Sequence, residues 1–470
     1  MFHTVLNWIF VGVGVVLLFG AAIFVHEFGH FWVARRLGLK VEAFAIGFGP
    51  RIFSWTREGI EYSVRWIPAG GFVKLPQMVT SSTLEGEKKA DDIPPAPPIS
   101  KILVAVAGPL MNVIFAFFIA TIIYYVGLPV PVNPSIIGYV DPASPEAKLG
   151  VQKGDRIIAV DGKPVKSWED VWSVTALALT NVLPVTIQRE SVNGQPEQIE
   201  TYKLTADTNN LLELKSFNLV PLDNLYVQEI RAGLPAETAK FQTNDEIIDF
   251  ASVPISSQTQ FINLIQKRGS QPTPVTVMRD NKRLTLTVTP AFDPASKKFR
   301  VGLSFALPKD IYVIEHPSPL DQVQDDVDQL YMTAMALVHS RESGVSAKDL
   351  SGPVGIFGAL AAECATDYRR ALKFLTLLNI NLAILNMLPV PVLDGGHIMM
   401  ALIERVRRRP LGPRLVEYVT TVFAILIISF MLYVTFFDIK RLPLLRMMFN
   451  REPQIEQPEK PAAHPAISPE

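Results

Sequence analysis

A chain of 470 residues is too long for one ordinary domain, and its 49% hydrophobic content places it among membrane proteins. Lys plus Arg (44) balance Asp plus Glu (45), and no basic run typical of nucleic-acid binders occurs, which excludes that class of partner. One cysteine, Cys364, excludes an internal disulfide and a cysteine-built metal cage, so a metal here must use His and carboxylate ligands.

In chain order, uncharged stretches long enough to span a bilayer run from Val5 to Val25 and on towards Ala34, from Ile102 to Gly127, from Phe374 to Leu393 and from Tyr418 to Phe437. Each span needs about 20 residues at ~1.5 Å rise. The expected fold is a multi-pass α-helical membrane protein with about four transmembrane helices. The first span carries Phe24-Val25-His26-Glu27-Phe28-Gly29-His30 at its end, and it has no basic start, which argues against a cleaved signal peptide. On a helix His26 and His30 share one face and suit a single metal ion, with Glu27 beside them to handle a proton. Polar groups at membrane depth are costly, so three together mark a site; the plainer reading is a polar cluster ending a helix.

Arg35, Arg36, Lys40, Arg51, Arg57, Arg65 and Lys74 follow the first span, and Arg405, Arg407, Arg408, Arg409 and Arg414 follow the third. The positive-inside rule makes both loops cytoplasmic and puts the N-terminus and the middle of the chain on the other side. Lys440, Arg441, Arg446 and Arg451 after the fourth span argue the other way. Between the first two spans, Glu61 to Leu75 contains two β-type runs around Pro68-Ala69-Gly70-Gly71. This predicts a cytoplasmic-side hairpin whose edge can pair with an extended peptide, with Tyr62, Val64, Gly70 and Gly71 as candidate contacts. A plain surface hairpin is the alternative. Thr80 to Ser100, polar and then Pro-rich, reads as a flexible loop.

From about Val132 to Leu307 the pattern turns to strand alternation, a soluble insert. Pro145, Asp155, Ile157, Ile158 and Pro164 recur 90 residues on as Pro235, Asp245, Ile247, Ile248 and Pro254, which predicts two copies of one module. In the first copy strands are expected at Ile136–Val140, Arg156–Val160, Lys163–Val165, Val182–Arg189 and Ile199–Leu204. Helices are expected at Pro145–Leu149 and after Ser167, whose side chain forms a capping-box-like pair with Asp170. Gly-Val-Gln-Lys-Gly-Asp-Arg-Ile at 150 to 157 and Val-Asp-Gly-Lys-Pro-Val at 160 to 165 resemble a PDZ domain of the bacterial protease-associated kind. The second copy diverges, with Asn244 for Gly154 and Ala251-Ser252 for Asp161-Gly162. Either groove admits a ligand as an added strand, or the pair acts sterically. Val327, Leu330, Tyr331, Ala334, Met335 and Val338 then predict an amphipathic helix, lying on the membrane surface or buried.

The third span ends in Asn386-Met387-Leu388-Pro389-Val390-Pro391-Val392-Leu393-Asp394-Gly395-Gly396-His397. It runs in the same direction as the first, so Asp394 can meet His26 and His30, giving three protein ligands and an open fourth position, as in catalytic zinc sites. His397 competes as a ligand and ranks second. Pro389 and Pro391 break the helix, freeing backbone groups that need a protein-lined or wet cavity. The organisation expected is 1–127, two transmembrane helices with the hairpin; 128–215 and 216–308, PDZ-like domains; 309–373, linker and surface helices; 374–449, the last two transmembrane helices; and 450–470, a disordered tail rich in Pro, Glu and Ala.

Together, His-Glu-Phe-Gly-His at 26 to 30, Gly70-Gly71-Phe72-Val73-Lys74, the tandem insert and Asn386-x-x-Pro389-x-Pro391-x-Leu393-Asp394-Gly395 resemble the site-2 protease family over nearly the whole chain. The tail beyond about Phe449 and the second module depart from it. The resemblance implies an intramembrane zinc metalloprotease of a bacterial inner membrane, active near the cytoplasmic side with periplasmic PDZ-like domains. Under it Zn2+ is held by His26, His30 and Asp394, Glu27 is the general base, and Asn386 with the Pro389/Pro391 segment and the hairpin holds substrate. Implied substrates are single-span membrane proteins, an anti-sigma factor and leftover signal peptides. A metal transporter usually has more spans and repeated halves, and a membrane scaffold would have no use for Glu27.

Overall fold

The charge-free start of the chain forms one helix, α1 (Phe2–Arg36), ending where Arg35 and Arg36 complement the negative end of the helix dipole. The computed structural model describes residues 2–78, 94, 96–131, 133–142, 144–189, 198–208, 214–222, 225–280, 282–294, 297–305, 311–409, 411–449 and 454–455. The loop expected over Thr80–Ser100 lies outside these residues apart from Pro94 and 96–100, and so does the tail apart from Gln454–Ile455. The chain divides into two units. One comprises Met1–Val130, Ile314–Met332 and Ala347–Asn450; the other comprises Pro131–Val313, Thr333–Ser346 and Arg451–Glu470.

In the first unit α1 is followed by strands β1 (Ala43–Arg57) and β2 (Ile60–Lys74) and helix α2 (Pro98–Val126). Then come α3 (Pro319–Val338, assigned to this unit as far as Met332), α4 (Pro353–Thr366), α5 (Tyr368–Asn386), α6 (Asp394–Arg407) and α7 (Pro413–Phe449). Among the described residues three stretches are long and apolar enough to cross a membrane: Ile9–Arg36, Pro98–Val126 and Arg414–Arg441. At ~1.5 Å per residue each reaches about 40 Å, beyond the ~30 Å hydrocarbon core. The remaining stretch expected to span, Phe374–Leu393, is helical only as far as Asn386, because Pro389 and Pro391 cannot continue the ladder.

The helix α2 is the hub. It packs against α1, α5 and α6. At its crossing with α1 there is no room for a side chain at Gly29, where a Cβ would overlap the Ala107 carbonyl and stand 2.8 Å from Met111 Cγ. The helix α6 is tied to α2 by a buried ion pair, Lys101 Nζ to Glu404 Oε2 at 2.7 Å. From α7, Asp438 accepts the free amides of Gly352 (3.1 Å) and Gly355 (2.8 Å) at the start of α4, so a buried carboxylate meets unpaired N–H donors and the positive helix end.

One expectation fails here. Glu61–Leu75 is not a hairpin: the chain turns instead at Glu58-Gly59 (φ 54° and 78°), so that Phe53–Arg57 pairs with Ile60–Val64. Ala43–Ile46 then lies between Glu61–Val64 and Gly71–Lys74 and pairs with both. Tyr62 and Val64 are therefore in an inner strand, with no free edge to offer, and among the described residues the edges fall to Phe53–Arg57 and Gly71–Lys74. The expected amphipathic helix forms as α3, with part of its apolar stripe facing outward. Gln322, Val323 and Asp326 are buried, whereas Tyr331 and Val338 are exposed. Polar bonds decide this orientation: Gln322 Nε2 donates to Ala120 O (3.0 Å) and Lys373 Nζ of α5 sits 2.6 Å from Asp326 Oδ1.

The second unit contains two modules of one design. In the first, Lys163–Pro164, Arg156–Val160, Val182–Arg189 and Gln198–Thr205 form a sheet in that order, and Val253–Pro254, Glu246–Phe250, Thr273–Arg279 and Lys282–Val288 repeat it. Ser167 and Asp170 close the expected capping box before the helix Trp168–Ala176. The repeat extends to an ion pair not noticed in the sequence. Arg189 grips Asp155 through Nε (2.7 Å) and donates to Gly150 O (3.0 Å); 90 residues later Arg279 grips Asp245 (2.7 Å) and donates to Lys240 O (3.0 Å). Both aspartates are buried, and hydrogen bonding to Asp155 raises the Arg189 pKa above its ordinary value.

Candidate metal centre

His26 and His30 come from the fourth-residue repeat of α1, and Asp394 is the first residue of α6, not the last of α5. The break between these helices is specific. Met387 N donates to Ile384 O (3.2 Å) and Leu388 N to Leu385 O (3.1 Å), tightening the last turn of α5. Val390 N then bonds Leu388 O (2.7 Å), and Leu393 N bonds Val390 O (2.8 Å). Gly395 and Gly396 let the first turn of α6 settle on this segment, because a Cβ at either would overlap the carbonyls of Met387, Leu388 or Val390. That fold-back carries Asp394 to the histidines.

The three ligand atoms converge. His26 Nε2 lies 3.2 Å from His30 Nε2 and 3.2 Å from Asp394 Oδ2, and His30 Nε2 lies 3.4 Å from Asp394 Oδ1. Ligands at about 2.0–2.1 Å from a tetrahedral zinc ion are about 3.3–3.4 Å apart, so the spacing is that of a zinc site. Asp394 Oδ2 is buried and accepts no hydrogen bond among the described residues, although an imidazole nitrogen stands beside it. A buried oxygen without a donor is costly, and a cation at the common focus satisfies it. The donor set, two imidazoles and a carboxylate, is that of catalytic zinc.

His30 Nδ1 is 2.7 Å from Val104 O. A carbonyl only accepts, so Nδ1 carries the proton and Nε2 keeps its lone pair. Gly108 of α2 stands over both rings: a Cβ there would overlap His30 and lie 2.9 Å from His26 Cε1. Glu27 is close enough to both imidazoles and Asp394 to interact electrostatically, and is not one of the converging ligands. Its stem lies under Gly71, where a Cβ would come 2.8 Å from Glu27 Cγ, so that sheet edge runs beside the acid.

Of the other candidates, His397 lines a small cavity with Lys101 and Glu404 and is not among the three converging groups. Asn386 ends α5, half-buried, and its side chain makes no hydrogen bond among the described residues. Pro391 is buried and Pro389 exposed. Gly70 sits against Phe48, and Tyr62 stacks on Trp55 with 5.3 Å between ring centroids. Sequence reasoning missed Gly108 and Asn112 of α2. Asn112 Nδ2 is 3.2 Å from His26 Nδ1. An amide in the middle of an uncharged span is the same signal that marks His26, and it was available.

The sequence pattern of peptidase family M50 matches residues 14–430, and the chain belongs to that family. It is 30% identical over 443 residues to the regulator of sigma E protease of Haemophilus influenzae, and 29% over 461 residues to RseP, the regulator of sigma-E protease, of Salmonella typhimurium. With the RseP of Escherichia coli it shares 28% over 450 residues; each alignment covers 91% of this chain and 98% of the relative. The chain is a zinc metalloprotease. Among solved structures, the PDZ domain of an SdrC-like protein from Listeria monocytogenes is 18% identical, covering 18% of this chain and 92% of that one at a TM-score of 0.17.

Replacing Gly108 by Ala should drive the new methyl into His30 and cut zinc content to a small fraction of wild type with the helices intact. Elemental analysis beside circular dichroism checks this; full zinc in Gly108→Ala would contradict the geometry.

Proposed function

We propose that this protease hydrolyses peptide bonds inside the membrane-spanning segment of single-span proteins at the inner membrane. The observation that carries the reading is the convergence of His26, His30 and Asp394 among apolar helices, with Glu27 and a free strand edge alongside. In this reading α5 also spans the membrane, as the third of four spans in chain order. Its 19 residues reach about 28 Å, uncharged from Phe374 on, and the charges at its start are paired, Arg369 with Asp367 and Arg370 with Glu363. The basic loops put the centre near the cytoplasmic side and the two PDZ-like modules in the periplasm.

A helical substrate hides its carbonyls in i to i−4 bonds, so the scissile segment must unwind. The edge Gly71–Lys74 pairs with the unwound strand, and Asn386 hydrogen-bonds its backbone, replacing the bonds lost. The Pro389 to Pro391 break keeps that part of the site open to water and substrate. His26, His30 and Asp394 would hold a zinc ion, which would lower the pKa of a bound water to about 7. Glu27 takes the proton from the attacking water and delivers it to the leaving amine. Gly71 holds Glu27 in place by leaving no space above its stem.

The named relatives regulate sigma E, and by that likeness the substrate is an anti-sigma factor already trimmed by another protease, with leftover signal peptides as a second class. The modules then act as a filter against substrates with bulky outer domains.

Glu27→Gln should keep its zinc and lose cleavage by about 10²–10⁴-fold in reconstituted membranes. A variant that keeps cutting removes Glu27 from the reaction. Deleting residues 132–307 should let an untrimmed substrate be cut; continued rejection of it would remove the filter.

A further inference from the structure

The two imidazoles are not held alike. His30 is fixed by a backbone carbonyl, Val104 O, which forces its proton onto Nδ1. The matching nitrogen of His26 faces a side chain, the amide of Asn112, one turn beyond Gly108 on α2. Asn112 is fully buried. Its Nδ2 lies 3.2 Å from His26 Nδ1, and its Oδ1 is buried with no hydrogen-bond partner among the described residues. With the amide nitrogen facing the ring, Nδ1 must be the acceptor, and the ring proton is forced onto Nε2, the atom aimed at His30 and Asp394. Turning the amide by 180° leaves its shape unchanged and exchanges the two atoms. Oδ1 then accepts from Nδ1–H, the orphaned oxygen gains its donor, and Nε2 presents a lone pair.

We propose that Asn112 is the positioning residue of His26: its carbonyl oxygen accepts the Nδ1 proton and so fixes the ring orientation and tautomer that bind zinc. The inference rests on the zinc reading of the site. It makes α2 the outer support of both histidines, through Val104 O for one and Asn112 for the other. Such supporting hydrogen bonds raise metal affinity by 10–100-fold in related arrangements.

The test is zinc affinity, measured by chelator competition on the detergent-solubilised full chain, together with the melting temperature of the metal-free protein. Wild type should bind zinc tightly; if it does not, the reading of the site falls, and with it this inference. Asn112→Leu, close in volume and unable to accept, should weaken zinc by about 10–100-fold while leaving the metal-free melting temperature equal or higher. Asn112→Asp, which can only accept, should bind zinc at least as tightly as wild type. A packing role predicts the opposite order, with Leu harmless and Asp damaging. Wild-type zinc affinity in Asn112→Leu, or a loss in Asn112→Asp equal to that in Asn112→Ala, would overturn the proposal. The Asp and Ala pair decides the matter if the Leu variant does not fold.

Discussion

The site depends on one close approach, the crossing of α1 and α2 at Gly29 and Gly108. At neither position is there space for a methyl group. Backbone against backbone is the tightest contact two helices can make, and small residues at helix crossings in membranes serve this purpose. The consequence is chemical as well as mechanical. With α2 pressed onto the imidazoles, Val104 O and Asn112 come within reach of their outer nitrogens, and the inner nitrogens face one point.

Three buried charges are paired under the same constraint from low dielectric. Lys101 meets Glu404, Asp326 meets Lys373, and Asp438 fills the N-terminus of α4. Each pairing ties one helix to another, so satisfying buried charge also fixes the bundle around the centre. Asp394 Oδ2 is buried without a donor among the described residues and faces the two imidazoles, where a bound cation would satisfy it.

Much of this could be read from the sequence where residue identity at fixed spacing carries the chemistry. His26, His30 and Asp394 come together as their motifs imply, and the 90-residue repeat is a repeat of structure, down to the Asp155–Arg189 and Asp245–Arg279 pairs. What was misread depends on pairing between distant segments. Ala43–Ile46 has no turn signal to announce that it enters the sheet between Glu61–Val64 and Gly71–Lys74, so Tyr62 and Val64 were placed on an edge they do not occupy. The apolar stripe of α3 left open which face packs inward; Gln322 and Asp326 decide it through specific partners on α2 and α5, which hydrophobic periodicity does not register. Gly108 and Asn112 were overlooked within an apolar run whose hydropathy says only that it spans.

The central claim is a single ion held by two imidazoles and one carboxylate. X-ray absorption at the zinc edge of the purified full-length protein tests it most directly. The account predicts two imidazole shells with nitrogen at about 2.0–2.1 Å and the rest of the coordination made by oxygen. A sulfur neighbour, a single imidazole or a protein that carries no zinc would contradict it.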